Sequence, residues 1–131
     1  KETNIPYDIE KGNNETVNET TNKEENFTTT YYEFPNKFIS KISGSKKFFQ
    51  ISVGLSTQYD ELVMHNVQSH QLALRPEILT VMSEFTMEDL VGKEGKIKLS
   101  NSIKDSINTY MEKVEGFGGI ENVHFTSFLI E

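Results

Sequence analysis

The chain closes on Gly118-Gly119-Ile120-Glu121-Asn122-Val123-His124-Phe125-Thr126-Ser127-Phe128-Leu129-Ile130-Glu131, and the spacing of its apolar residues decides the fold. Side chains alternate across a strand, so Val123, Phe125 and Leu129 are expected on one face and His124, Thr126, Phe128 and Ile130 on the other. A strand with apolar groups on both faces predicts burial inside a sheet rather than an exposed tail. Immediately upstream, Leu99, Ile103, Ile107, Tyr110, Met111 and Val114 recur at three- and four-residue steps. That is the stripe of an amphipathic helix of about 18 residues. Gly116, Gly118 and Gly119 end the helix and turn the chain into the last strand.

Working back from this unit, Phe34, Phe38 and Ile42 lead to Ser43-Gly44-Ser45, and Phe49, Ile51, Val53 and Leu55 follow in strict alternation. The pattern predicts a β-hairpin. Pro35 at the entry of its first arm favours an edge position, where a missing donor costs least. From Asp60 the period becomes helical: Leu62, Val63, Val67, His70 and Leu74, then Ile78, Val81, Met82 and Phe85. Because proline disfavours helical geometry at the residue before it, Pro76 predicts two helices, or one kinked near Leu74 and Arg75. Thr86 with Asp89 three residues on reads as an N-cap opening a short turn through Leu90, closed by Gly92. Lys93-Glu94-Gly95 then leads into the long helix. The order strand, strand, helix, helix, helix, strand implies an α+β fold. It would be a small three-stranded, mainly antiparallel sheet, hairpin plus C-terminal strand, packed on one face by three or four helices.

Residues 1–30 differ from the rest. Asn, Thr, Glu and Lys dominate, and Ile5, Tyr7, Ile9, Val17 and Phe27 are the only sizeable apolar side chains. Such a composition cannot bury enough surface to offset its ordering entropy, so a flexible acidic linker is expected over 1–30 and a folded domain over 31–131. The linker holds Glu2, Asp8, Glu10, Glu15, Glu19, Glu24 and Glu25 against Lys1, Lys11 and Lys23, or -4 of the chain's formal -7. One arginine, Arg75, and an acidic balance exclude a nucleic-acid partner, which would need clustered basic side chains. The absence of cysteine removes disulfides, thiolate metal sites and thiol nucleophiles.

The sequence offers no catalytic constellation. His65 and His70 are five residues apart and do not share a helix face as a metal pair at four-residue spacing would. His124 lies on the terminal strand and is expected half-buried with one hydrogen bond. Asp60-Glu61, Glu88-Asp89 and Glu94 each stand near a helix start, where the backbone dipole favours negative charge. Neither a phosphate loop nor a Gly-x-Ser-x-Gly elbow is present. No cofactor, metal or enzymatic activity is expected. Phe48 is the odd position: it falls on the otherwise polar side of its strand with Gln50, Ser52, Gly54 and Ser56, either packing against a loop or the linker or contacting a neighbouring subunit. Phe48, Gln50, Ser52 and Arg75 are the candidates for subunit or partner contact.

Residues 34–131 resemble the periplasmic domain of the FliL family of flagellar basal-body-associated proteins. The family closes on a strand of the type Val-x-Phe-Thr-x-Phe-Val-x-Gln, followed here by Val123-His124-Phe125-Thr126-Ser127-Phe128-Leu129-Ile130-Glu131. Its Thr-x-(Glu/Asp)-(Asp/Glu)-Leu, Glu-Gly and Ile-Asn elements are matched by Thr86-Met87-Glu88-Asp89-Leu90, Glu94-Gly95 and Ile107-Asn108. Its hairpin is matched by Phe38 to Ile42 and Phe48 to Leu55. Where the family commonly has Arg-Asp before an Ile-Leu pair, this chain has Arg75-Pro76-Glu77-Ile78-Leu79. The resemblance implies a stomatin/prohibitin-like fold and a single-pass inner-membrane protein whose helix precedes residue 1, with the domain in the periplasm at the flagellar basal body. It also implies a homo-oligomeric ring around stator proteins of the MotA/MotB type, supporting motility without catalysis. A ligand-binding module of the bacterial cell envelope is the alternative.

Overall fold

The computed structural model describes residues 28–131. The linker expected over 1–30 lies outside the described residues except at its end, where Thr30 already opens the first strand. The elements are β1 (Thr30–Glu33), β2 (Phe38–Lys41), β3 (Phe48–Thr57), α1 (Leu62–Ser69), α2 (Gln71–Met82), α3 (Met87–Val91), α4 (Lys93–Glu115) and β4 (Asn122–Ile130).

Every other strand pairs with β3 and all pairings are antiparallel. One side of β3 is shared: β2 takes its first half, Phe38 opposite Ile51, and β1 its second half, Tyr32 opposite Leu55. The other side is taken by β4 along nearly its full length. The expected first arm of the hairpin is thus two short strands, giving four strands in place of three. Pro35 is the reason, since without an N–H it cannot continue the ladder, and the chain bends away from β3 before rejoining it. A single parallel bridge between Ser43 and Thr86 ties the hairpin turn to the start of α3.

Phe49, Ile51, Val53 and Leu55 point from β3 into a core completed by Leu74, Ile78 and Met82 of α2 and by Leu99, Ile103, Ile107 and Met111 of α4. The helices lie on this face alone, α2 against β2 and α4 against both α2 and β4. Of the stripe expected on the long helix, Tyr110 packs at the margin and Val114 is exposed. The four fully buried stripe residues contribute roughly 6 to 12 kcal/mol of apolar transfer, an upper bound that conformational entropy opposes.

Three details depart from the sequence pattern. Among the described residues β4 is an edge strand rather than an interior one, and strict alternation along it fails at a β-bulge. Ser52 faces Ser127 while Val53 faces Phe125, so Thr126 is an extra residue that inverts the parity. Val123, Phe125, Phe128 and Ile130 consequently all pack toward the core, and Leu129 faces the opposite way with His124. Secondly, Pro76 lies within a continuous α2, and the helical run breaks at His70 instead. The carbonyl deprived of its donor by Pro76 belongs to Leu72, on the exposed side of the helix where water can satisfy it. Thirdly, Lys93-Glu94-Gly95 is the first turn of α4, which runs to 23 residues. Apolar spacing misses a polar opening turn. Gly95 belongs there because α3 and α4 approach so closely that a Cβ at this position would overlap the Asp89 backbone.

Ile107→Asp is expected to abolish cooperative unfolding and leave the chain unfolded by circular dichroism. Val114→Asp, one turn and more away on the exposed margin, should shift Tm by no more than about 2 to 4 °C.

Candidate functional site

The face of the sheet turned away from the helices is uncovered among the described residues, and it gathers three of the four contact candidates. Phe48, Gln50 and Ser52 follow one another along β3 on this face, with Phe48 48% exposed. The flanking strands extend the surface. Ile39, Gln50 and Leu129 stand in one cross-strand row, and Ile39 and Leu129 are 60% and 48% exposed. Together with Phe48 they form an apolar cluster at the Glu131 end of the sheet. Its polar members are held in place: Gln50 Nε2 donates to Glu131 Oε2 at 3.2 Å, and Ser127 Oγ to Ser52 Oγ at 2.8 Å. Ile39 could have been read from the alternation of β2. Leu129 could not, because the bulge that turns it outward has no sequence signal of its own.

Arg75 sits elsewhere. Its guanidinium lies 3.8 Å from the centre of the Phe38 ring and donates to the carbonyls of Asn36 at 3.2 Å and Lys37 at 2.8 Å. It pins the bend between β1 and β2 to α2. Burial raises the Tyr32 phenol pKa, an effect that the nearby Arg75 charge partly opposes.

At the other end of the outer face, Tyr31, Glu33, Gly54, His124 and Thr126 surround an open hollow of about 430 Å³. His124 Nε2 and Ser56 Oγ are 2.8 Å apart, and the Tyr31 ring lies 6.3 Å from the imidazole. His124 is therefore exposed rather than half-buried, with the single hydrogen bond expected of it. A serine beside a histidine invites a nucleophilic reading, but Ser56 is 3% exposed and the Glu33 carboxylate accepts from Thr126 Oγ1 at 2.9 Å. Attack needs an accessible hydroxyl and a carboxylate orienting the imidazole, and this arrangement supplies neither. Among the described residues no three His, Asp or Glu side chains gather to hold a metal ion. His65 is exposed, while His70 Nε2 meets Glu115 Oε2 at 2.7 Å and joins the α1–α2 break to the end of α4.

The short polar motifs have structural explanations. Thr86 Oγ1 accepts from the Asp89 N–H at 3.2 Å, and Asp89 Oδ2 accepts from the Thr86 N–H at 3.1 Å, a capping box that opens α3. The bond from the Thr86 N–H foremost, and a second donated by Thr86 Oγ1 to Asp89 Oδ2 at 3.0 Å, hold the Asp89 carboxyl below its usual pKa. Asn108 is a clamp that sequence spacing does not reveal. Its Nδ2 donates to the Ile120 carbonyl and its Oδ1 accepts from the Ile120 N–H, both at 2.9 Å, so one side chain imitates a strand neighbour. Gly118 must lack a side chain because a Cβ there would strike Asn108. Gly116 adopts a left-handed φ of 83° and ends α4, so the loop from Gly116 to Ile120 is fixed at both ends.

An antiparallel sheet covered on one face by helices, with an outer face left open among the described residues, defines an α+β domain of stomatin/prohibitin-like type. Residues 31–130 match the model of the family described as flagellar basal body-associated protein FliL, and the chain belongs to that family. A flagellar protein FliL from Aquifex aeolicus (strain VF5) is 29% identical over 84 residues, covering 64% of this chain and 49% of that protein. The chain thus spans about half the length of the curated relative it matches. The family's description associates its members with the flagellar basal body.

Asn108→Ala should lower unfolding stability by about 2 to 3 kcal/mol in urea titration, since it strands two backbone groups of Ile120. Asp89→Asn tests the capping box by pH. A depressed carboxyl stabilises the fold above the ordinary carboxylate range and loses that contribution as pH falls through its folded-state pKa. The wild type should therefore exceed the variant in Tm at pH 7, with the gap narrowing as the pH is lowered below 4.

Proposed function

We propose that this chain is a non-catalytic accessory subunit of the flagellar motor that assembles with its own copies into a ring around the stator complex. There it supports stator assembly, stability or torque. On this reading a membrane helix precedes residue 1 and holds the protein in the bacterial inner membrane, residues 1–30 form the tether, and the domain works in the periplasm. Its partners are other copies of itself and stator proteins of the MotA/MotB type. The observation that carries the reading is the family match across residues 31–130.

The outer sheet face supplies a contact surface compatible with it. Phe48, Ile39 and Leu129 form an exposed apolar cluster flanked by Gln50 and Ser52, the composition expected of an interface centre and its polar rim. Arg75 enters through the bend between β1 and β2 that it fixes. The glycine at position 54 is not demanded by packing, since a Cβ there would meet only backbone oxygens at ordinary distances of 3.8 and 4.0 Å. An approaching neighbour is a reason to keep it small. The hollow beside Tyr31 and His124 favours the second reading, a ligand-binding module of the cell envelope.

Deletion of the gene should leave flagellar filaments assembled but reduce swimming in viscous medium, and wild-type motility at high load would overturn the stator reading. In the purified full-length protein, Phe48→Asp should keep the wild-type Tm while reducing oligomer mass in light scattering. Unchanged mass would remove Phe48 from the contact. A small molecule that raised Tm and was displaced by Tyr31→Ala would favour the ligand-binding alternative.

A further inference from the structure

We propose that the outer edge of β4 is a docking site for the chain's own segment Ile5–Glu10, which adds to the sheet as a further strand. The inference does not rest on the flagellar reading.

The edge is prepared for a partner. Among the described residues β4 pairs with β3 on one side only, and its nine residues, Asn122–Ile130, include no proline and no charged side chain. Exposed edges are ordinarily blocked by such residues, as the opposite edge is here by Pro35, Glu33 and Lys41. The core-facing side chains of β4 are incompletely covered. Phe49, Ile51, Val53 and Leu55 of β3 are at most 1% exposed, whereas Val123, Phe125, Phe128 and Ile130 are only half-buried. Beside this edge runs an open groove of about 620 Å³, with Val91 and Ile97 of the α3–α4 region on one wall and Val123 and Phe125 on the other. Its charged lining residues are Lys93 and Lys96.

Residues 1–27 contain a segment of matching chemistry. Ile5-Pro6-Tyr7-Asp8-Ile9-Glu10 alternates apolar residues with proline and acids, the period of an extended strand with one apolar face. In a strand, alternate residues direct their backbone groups to opposite sides. With Ile5, Tyr7 and Ile9 bonding to β4, Pro6 falls on the far edge, where it needs no donor and blocks further strand addition. Their apolar side chains can then enter the groove.

The geometry permits it within one chain. Thr30 pairs with Thr57 and Asn122 with Ser56, so the chain enters the domain at the end of the sheet where β4 begins. Two strand spacings, about 10 Å, separate the two edges. The residues from Lys11 to Phe27 reach about 55 Å at full stretch and roughly 20 to 25 Å as a coil. A link of this length would present the segment at an effective concentration on the order of millimolar, so modest affinity suffices.

The test is amide hydrogen exchange by NMR in the full chain. Phe48 and Glu131 exchange both backbone bonds, which turns the Phe128 and Ile130 amides away from β3. In the wild type the outward amides of β4, that of Phe128 among them, should exchange at least tenfold more slowly than in Ile5→Asp/Ile9→Asp. Ile97→Asp, at an exposed groove position, should release the same amides. Equal rates in wild type and double variant overturn the proposal. Protection that persists in the double variant but disappears on dilution also overturns it, assigning the edge to a second copy instead.

Discussion

Every strand of this domain depends on β3. Among the described residues its ten positions from Phe48 to Thr57 are the sole strand partner of β1, β2 and β4, and its alternation fixes which face of each of them meets the helices. A one-residue slip would carry Phe49, Ile51, Val53 and Leu55 into water and bring Gln50, Ser52 and Ser56 into the core. The helices obey the same constraint from above, since α2 and α4 cover only the apolar side. The uncovered outer face is therefore a direct consequence of a strand that alternates so regularly.

Where a residue's environment is set by its near neighbours in sequence, the fold was readable. The β3 alternation, the α4 stripe from Leu99 to Met111 and the Thr86–Asp89 cap all hold because period and capping are local properties. Features created by pairing escaped. The bulge at Thr126 adds one residue against Ser52 and Val53, and no residue type in Val123 to Ile130 marks it, so Leu129 was expected on the wrong side. Pro76 pointed to an interruption that does not occur on this exposed side of α2, whereas the actual break at His70 has no proline or glycine to announce it.

The candidate surface divides in the same way. Phe48, Gln50 and Ser52 are found together because one strand carries them, while Ile39 and Leu129 join them only through register. Arg75 stands in the sequence as a contact candidate and the chain's one arginine. Its place over Phe38, with two of its donors bonded to the Asn36 and Lys37 carbonyls, depends on α2 returning to a bend nearly forty residues earlier. Asn108 shows the converse. An Asn within a helix suggests little, yet its two bonds to Ile120 turn the chain from α4 into β4.

The two edges of the sheet are unlike, and that asymmetry bears on assembly. A ring of identical copies needs heterologous contacts, one surface meeting a different one, because a self-complementary patch closes a dimer and stops. β1 and β2 present an interrupted edge with Pro35, Glu33 and Lys41, while β4 presents an uncharged one beside an apolar groove. A free β4 edge would favour indiscriminate strand addition. Covered by a segment ending its outer side in Pro6, it would instead leave the outer face with Phe48, Ile39 and Leu129 as the main apolar surface. On the ring reading, tether docking and subunit contact are then linked through one sheet: closing its edge directs association to its face.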